Sequence, residues 1–221
     1  MEALTISVRT CVLGSGSSGN ATLLAGRRTR ILVDAGFSFR EICRRLKLIG
    51  EDWSRLDAVL ITHEHSDHVS GLPGLAKKLR KPVYVTARTE SHLDWGDAEP
   101  VLERFQAGQR ISIGDFEIDS FTVPHDAVDP VGFCFRAEGL KIAVVTDLGY
   151  LPESVKQHVR GCHLLVLESN HDLDMLKVGP YPWFVKQRVM SRVGHLSNHV
   201  VGQFLAADYD RRAQVLVLAH L

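Results

Sequence analysis

Four apolar segments of this chain are each followed closely by a histidine or an aspartate. His63 follows LDAVLIT, His125 follows FTVP, Asp147 follows KIAVVT and His220 follows VLVLA. Short apolar runs bounded by turn residues are typical of buried β-strands. The shared placement predicts that these four side chains lie on one rim of a β-sandwich. Taken singly, the last three have other interpretations: His125 caps a turn, Asp147 starts a loop, and His220 is a terminal residue.

Strand and helix signals alternate along the rest of the chain. Strands are predicted over 4–13, 21–25, 29–34, 56–61, 82–86, 111–113, 116–123, 132–139, 141–147, 163–168 and 214–220. Helices are predicted from Ser38, over 69–80, near 152–160, around 182–192 and from Asn198. Runs of strands with helices around them predict an α/β fold, in which two mixed sheets lie between helical layers.

Length and charge limit the function classes. A chain of 221 residues with 45% hydrophobic residues suits one domain, expected over residues 1–221. Because 26 basic residues balance 26 acidic ones, no overall field attracts a polyanion, and any contact with nucleic acid requires a local patch. Basic clusters at 27–30, 77–81 and 186–188 are candidates, or solvated faces. The first residues lack an apolar segment of signal length, so we expect a soluble, cytoplasmic protein without a membrane partner.

The densest cluster of titratable residues is THEHSDH at 62–68. His63 and His65 lie two residues apart and can converge on one point, whereas the adjacent Asp67 and His68 point toward a second. Nitrogen and oxygen donors bind divalent metals, and paired metals in hydrolases lie about 3.5–4 Å apart. The cluster therefore predicts two metal sites. Their further ligands are expected from the other strand ends, at His125, Asp147 and His220. The alternative is a solvated turn.

The HxHxDH motif, Asp34 in LVDAG and the later strand-end residues resemble the metallo-β-lactamase superfamily over essentially the whole chain. The resemblance implies an αββα four-layer sandwich with a dinuclear metal site at one edge. Its implied ligands are His63, His65 and His125 for one metal, Asp67, His68 and His220 for the other, and Asp147 as the bridge. Asp34 would orient this region from outside the ligand set.

Five further blocks occur in order: GSGSSGN, VPHDAVDPVGF, LESNHDLDML, GPYPWFVKQRV and GHLSNHVVGQFLA. They resemble the YycJ (WalJ) family, which is associated with DNA 5′-to-3′ exonuclease activity. The resemblance implies a dinuclear-metal phosphodiesterase with DNA as substrate. Asp147 stands where the antibiotic-hydrolysing members have cysteine, which argues against a β-lactamase. In glyoxalase II-like thioesterases the last histidine follows the aspartate sooner than His220 follows Asp147.

The glycine-rich segment GSGSSGN follows the first predicted strand. It lacks the Gly-Lys-Ser/Thr ending of a nucleotide-binding P-loop. Its glycines allow backbone N–H groups to turn toward an anion, and Ser17, Ser18 and Asn20 are candidate substrate contacts near a phosphate. A flexible hairpin without a ligand is the alternative.

His195 lies just before Ser197 and Asn198, either of which can cap a helix. That position places it near a positive helix N-terminus, where it can meet an anionic substrate. The phosphodiesterase branch of the superfamily uses a histidine in a similar place to protonate the leaving group. We therefore expect Asp67 and His195 to be catalytic, with His171 as a further substrate contact. A structural capping role for His195 and a packing role for His171 are the alternatives.

The expected cofactors are two divalent ions, with zinc and manganese ahead of iron, because His and Asp ligands suit all three. Such ions acidify a water molecule and polarise the scissile phosphate. Two other functions stay open: a glyoxalase II-like thioesterase and a non-catalytic, metal-bearing interaction domain. The printed sequence ends at Leu221, directly after His220. We therefore expect either a tail beyond Leu221 or a weak second metal site.

Overall fold

The apolar segments assemble into two six-stranded sheets in the computed structural model, which describes residues 7–221. The first sheet contains, in spatial order, β1 (Arg9–Gly14), β2 (Ala21–Ala25), β3 (Arg30–Val33), β4 (Ala58–Leu60), β5 (Pro82–Thr86) and β6 (Val101–Phe105). Strands β1 to β3 pair antiparallel, and strands β3 to β6 pair parallel.

The second sheet repeats this design. Its strands, in spatial order, are β7 (Arg110–Ile113), β8 (Phe116–Thr122), β9 (Val131–Ala137), β10 (Leu140–Val145), β11 (Leu164–Glu168) and β12 (Val215–Ala219). Strands β7 to β10 form antiparallel hairpins, and β10 to β12 pair parallel. In both sheets, hairpins therefore lead into parallel strands.

Short helices cover both sheets. They are α1 (Phe39–Leu48), α2 (Ser66–Val69), α3 (Leu72–Leu79), α4 (Ala87–Glu90), α5 (Glu153–Val159), α6 (Leu173–Val178), α7 (Trp183–Val189) and α8 (Asn198–Gln203). The predicted start of α1 is confirmed, because the Ser38 hydroxyl accepts a hydrogen bond from Glu41 N. Within residues 7–221, no helix has the length and apolar character needed to cross a membrane.

Alternating side chains divide the interior into layers. Ile31 and Val33 of β3 point into the core between the sheets, where they join Phe133 and Phe135 of β9. Leu32, between them in sequence, faces the opposite way into a core with α1 and α3. A third core joins β10 and β11 to α5. The order helix, sheet, sheet, helix confirms the predicted αββα sandwich.

Most predicted strands are confirmed with shifted ends, but β6 has no counterpart in the predictions. Its sequence VLERF places two charged residues, Glu103 and Arg104, in the middle of the segment, which hides the alternation typical of a strand. Tertiary pairing with β5 makes it a strand at the edge of the sheet.

Three other boundaries differ from the predictions. The predicted helix over 69–80 is interrupted, because α2 ends at Val69 and α3 begins at Leu72. The helix predicted around 182–192 ends at Val189. The strand predicted over 4–13 begins at Arg9 as β1, and its residues 4–6 lie outside the described residues, as do residues 1–3 of the predicted domain.

Candidate metal centre

The HxHxDH segment leaves β4 in extended form and then turns into α2. His65 is the N-cap residue of α2, and Asp67 and His68 belong to the helix itself. The ring centroid of His68 lies 4.1 Å from that of His63, closer than the 4.6 Å between His63 and His65. The local structure thus places the two predicted points next to each other.

One group consists of His63, His65 and His125, whose ring nitrogens lie within 4.8 Å of one another. The distance between His65 Nδ1 and His125 Nε2 is 3.2 Å. His125 is held from behind by its Nδ1, which donates to Gly194 O at 3.1 Å. These three imidazoles form the first candidate metal site.

A second group consists of Asp67, His68 and His220, also with donor atoms within 4.8 Å of one another. Asp67 Oδ2 lies 3.4 Å from His220 Nε2 and 3.5 Å from His68 Nε2. These residues come from α2, which follows β4 of the first sheet, and from the end of β12 of the second sheet. The second candidate site therefore forms only when the two sheets pack together.

Asp147 lies between the two groups. Its Oδ2 is 3.3 Å from His68 Nε2, and its Oδ1 is 3.3 Å from His220 Nε2 and 3.9 Å from His125 Nε2. Burial raises the pKa of this carboxyl, but the surrounding histidines outweigh burial and hold the pKa well below its usual range. Asp147 is therefore an anion whose Oδ1 lies near a ring nitrogen of each group, His125 of the first and His220 of the second, as a bridging ligand requires.

Two buried side-chain atoms of this cluster make no hydrogen bond. Among the described residues, neither His63 Nε2 nor Asp147 Oδ2 has a hydrogen-bond partner. Burying a polar atom without a partner is unfavourable, and such atoms are rare in native proteins. Imidazole nitrogens and carboxylate oxygens are donors that divalent zinc and manganese accept. The residues present therefore fit a divalent metal centre.

Burial and neighbouring carboxylates divide the histidines into two kinds. Burial lowers the pKa of His63 and of His125, which keeps both rings neutral. For His68, Asp147 and Asp34 overcome the effect of burial and raise the pKa well above its usual value. Burial also opposes the charge on His220, but Asp67 and Glu168 raise its pKa to about 10. The carboxylates around His68 and His220 thus favour a positive charge between them.

Asp34 supports this arrangement from the end of β3. Its Oδ2 accepts a hydrogen bond from His68 Nδ1 at 2.8 Å, and its Oδ1 accepts from Thr62 N at 2.9 Å. A carboxylate opposite Nδ1 fixes the proton on that nitrogen and leaves His68 Nε2 facing the cluster. This is the contact that the predicted role of Asp34 requires, and Thr62 adds a partner that the sequence did not reveal.

Glu168, the last residue of β11, was missed by the sequence analysis. It is fully buried, and its Oε1 accepts from His195 Nδ1 at 2.6 Å and from His220 Nδ1 at 3.1 Å. Its Oε2 accepts from Leu148 N at 2.8 Å and Leu196 N at 3.2 Å. One carboxylate thus orients two histidines. The sequence contained a signal for Glu168, because this residue ends the apolar run HLLVLE just as Asp147 and His220 follow apolar runs.

His195 lies at the edge of the same cluster. Its ring centroid is 5.0 Å from that of His220 and 5.2 Å from that of His125. Its backbone N–H donates to Val189 O at 2.9 Å, which attaches it to the end of α7. Ser197 is the residue that caps α8, by accepting from Val200 N. With Nδ1 bound to Glu168, Nε2 is the ring nitrogen of His195 that stays available for another contact.

The glycine-rich loop contacts the cluster differently from the prediction. Asn20 is buried, accepts from Gly16 N at 2.8 Å, and donates to Asp67 Oδ2 at 3.0 Å. The geometry therefore favours a role in positioning Asp67 over the predicted contact with substrate. Ser15, which was not predicted, accepts from His220 N at 2.6 Å.

Ser17 and Ser18 are exposed at the tip of this loop. They line a cavity of about 250 Å³ together with Phe37 and Arg45. Both hydroxyls are accessible, as a substrate contact requires, and the guanidinium of Arg45 supplies a positive charge in the same cavity.

His171 lies behind His220. Its Nδ1 is 3.2 Å from Asn170 Oδ1, and Asn170 Nδ2 donates to His220 O at 2.8 Å. Burial lowers the pKa of His171, and its Nε2 has no hydrogen-bond partner within residues 7–221. The structure thus brings His171 to the neighbourhood of the cluster, and its contact with substrate stays a prediction.

Comparison with known proteins identifies the family that the chain resembles. Residues 29–221 match the family described as "Beta-lactamase superfamily domain". The chain is 36% identical over 218 residues to the exodeoxyribonuclease YycJ of Bacillus anthracis, covering 95% of this chain and 81% of that protein.

Solved structures are similar over almost the whole chain. The metallo-β-lactamase fold protein YhfI from Bacillus subtilis covers 97% of this chain and 86% of its own, with a TM-score of 0.74 and 20% identity. Zinc-bound PqqB from Methylobacterium extorquens covers 94% and 88%, with a TM-score of 0.72 and 18% identity. At these identities the likeness establishes the fold.

Proposed function

Because the chain belongs to the metallo-β-lactamase superfamily, we propose that it is a dinuclear-metal phosphodiesterase that degrades DNA from the 5′ end. The observation that carries the proposal is the pair of three-residue donor groups with the Asp147 carboxylate between them. A relative with 36% identity that is named an exodeoxyribonuclease supports DNA as the substrate.

The first metal would be held by His63, His65 and His125, and the second by Asp67, His68 and His220, with Asp147 shared. Zinc or manganese suits these donors best, and iron also fits. When bound, the two ions supply Lewis acidity that acidifies a water molecule and polarises the scissile phosphate.

His195 supplies the proton that the leaving oxygen needs. Glu168 accepts from His195 Nδ1 at 2.6 Å, so the ring is held with Nε2 as its free donor. Since Glu168 binds His220 through the same oxygen, the acid and one metal ligand have a common support.

Asp67 serves the other side of the reaction. Its Oδ2 is bound by Asn20 Nδ2 at 3.0 Å, which fixes the carboxylate plane. Its second oxygen can then accept a hydrogen bond from the attacking water and orient it toward the phosphorus. Ser17 and Ser18, exposed on the glycine-rich loop, would contact a neighbouring phosphate.

The test compares two substrate classes with the metal-loaded protein. We expect 5′-phosphorylated duplex DNA to release nucleotides from its 5′ end, and lactoylglutathione to be hydrolysed slowly or not at all. Preferential cleavage of the thioester would replace the proposal by a glyoxalase II-like activity. Inactivity toward every phosphodiester with two metals bound would favour an interaction domain.

A further inference from the structure

The segment from α6 to α7 exposes large apolar side chains beside the candidate metal centre. The exposed fractions are 74% for Met175, 86% for Val178, 60% for Tyr181, 60% for Trp183 and 72% for Phe184. Contiguous exposed apolar surface on a protein usually marks a binding surface. The function proposed above does not use these residues.

The charge from Met175 onward is one-sided, although Asp174 of α6 pairs with Lys177. Residues 175–193 contain Lys177, Lys186, Arg188 and Arg192 and no aspartate or glutamate, although basic and acidic residues balance over the whole chain. Lys186 is buried, and its Nζ donates to Lys177 O and Gly179 O, both at 2.7 Å. This lysine therefore connects α7 to the end of α6.

The other end of α7 is attached to the metal centre. Arg188 Nε donates to Asp126, the residue after His125, and Val189 O accepts from His195 N. A guanidinium has five N–H groups, so the contact with Asp126 leaves most of them available. The side chain of Arg188 is 61% exposed, which places its guanidinium, paired with Asp126, at the rim.

Phe184 and Arg188 lie four residues apart in α7 and therefore share one face of the helix. Four residues of helix rise about 6 Å, so the ring of Phe184 and the guanidinium of Arg188 lie about one turn apart along α7. The first turn of α7 thus presents aromatic rings, and its last turn presents a cation next to the catalytic groups.

We propose that α7 binds an unpaired nucleotide next to the scissile phosphate, with its base stacked on Phe184 and Trp183 and its phosphate bound by Arg188. The inference rests on the proposed function and specifies its substrate as a single-stranded or frayed DNA end. Aromatic rings beside a cationic track are the combination that holds single strands, because every base offers a face for stacking. The absence of acidic residues from 175–193 and the attachment to His195 favour this occupant over a protein partner.

The test is a base-deletion scan on 5′-phosphorylated single-stranded oligonucleotides. Single abasic sites are placed at successive positions from the 5′ end, and KM and kcat are measured for the wild type, Phe184→Ala and Trp183→Ala. Leu48→Ala, on α1, is the matched control because Leu48 is also 72% exposed. Fluorescence anisotropy of labelled oligonucleotides gives the affinities independently of cleavage.

One abasic position should raise KM for the wild type about tenfold, a typical effect of losing one stacked base. Phe184→Ala should raise KM by a similar factor with little change in kcat, and the abasic site should then have little further effect. The Phe184 variant should lose far less on bis(p-nitrophenyl) phosphate, which has no stacking base, and Leu48→Ala should behave as the wild type.

Three results would overturn the inference: independent, multiplicative effects of ring and base, an equal loss on the small diester, or a change of oligomeric state in the Phe184 variant. The last result would show that the rings join copies of the chain. If the wild type binds oligonucleotides without cleaving them, the proposed function fails, and the anisotropy cycle alone decides whether stacking occurs. Absence of binding would reject both.

Discussion

The two ends of the sandwich differ in whether their polar side chains have hydrogen-bond partners. At the end formed by the hairpin turns, Asp115 Oδ2 accepts from Arg28 N at 2.7 Å and Thr29 N at 3.0 Å. Glu138 accepts there from the backbone N–H and the hydroxyl of Ser7. At the opposite end, buried His63 Nε2 and Asp147 Oδ2 have no partner among residues 7–221.

Backbone conformation does not distinguish the two ends. Asp34, Asp147 and His220 have φ values of 61°, 59° and 55° at the metal end, and Glu138 has 52° in a hairpin turn at the other. Left-handed conformations of such residues are uncommon and carry some strain. At the hairpin end, the conformation only closes a turn. What marks the functional end is the combination of this backbone with unsatisfied, buried donor atoms.

The strongest challenge to this comparison is Asp147→Asn. Asparagine keeps the size and tolerates a positive φ, so the change removes mainly the charge between the two donor groups. We expect metal content to fall from two ions to one or none, and DNA cleavage to fall by more than the 10–100-fold typical of changes outside the ligand set. Metal analysis after dialysis measures the first effect, and two ions bound with wild-type affinity would refute the bridge.

Removing the proposed acid should separate chemistry from metal binding. His195→Ala should keep both ions and the fold, while DNA cleavage slows by roughly 100- to 10,000-fold, as is typical of lost acid–base catalysis. The loss should be smaller for a nitrophenyl phosphodiester, whose leaving group needs no proton. An equal loss on both substrates would indicate positioning, and a loss of metal would make His195 a ligand.

A smaller effect is expected from the support behind His68. Asp34→Asn weakens the acceptor opposite His68 Nδ1 and should lower metal affinity by about 10–100-fold. Asp52→Asn is the control, because Asp52 only caps the turn at Trp53–Arg55. Competition with a chelator gives both affinities. If the Asp34 variant matches the Asp52 variant, the hydrogen bond to His68 does not orient a ligand.

The smallest effect on activity should come from the hairpin end. Asp115→Ala removes two backbone contacts and should lower the free energy of unfolding by about 1–2 kcal/mol, with metal content and turnover unchanged. The Arg28 N–H, the main cause, lowers the pKa of Asp115. This stabilisation is therefore present above the unfolded pKa of about 3.9 and disappears as pH falls through the lower folded value.

Denaturant unfolding of Asp115→Ala and wild type at pH 7 and near pH 2 tests that sign. The difference between the two proteins should shrink at the lower pH. A loss of metal in this variant would contradict the separation between the two ends.

The strands and their rim were predictable because their signals are local. Short apolar runs located β8, β10 and β12, and the residues that follow them reach the cluster as expected. Strand β6 was missed because charged residues interrupt its apolar pattern, and only pairing with β5 makes it a strand. Local pattern therefore succeeds where burial follows the sequence period and fails at an exposed edge.

The sequence by itself determined the fold class and where the titratable strand ends would gather. Tertiary structure alone decided which groups meet: Glu168 between His195 and His220, Asn20 against Asp67, and Ser15 under His220. These contacts join residues far apart in the chain and depend on sheet order and on the packing of one sheet against the other. Local periodicity carries no record of either, because it specifies which face of a strand is buried but not what that face will contact.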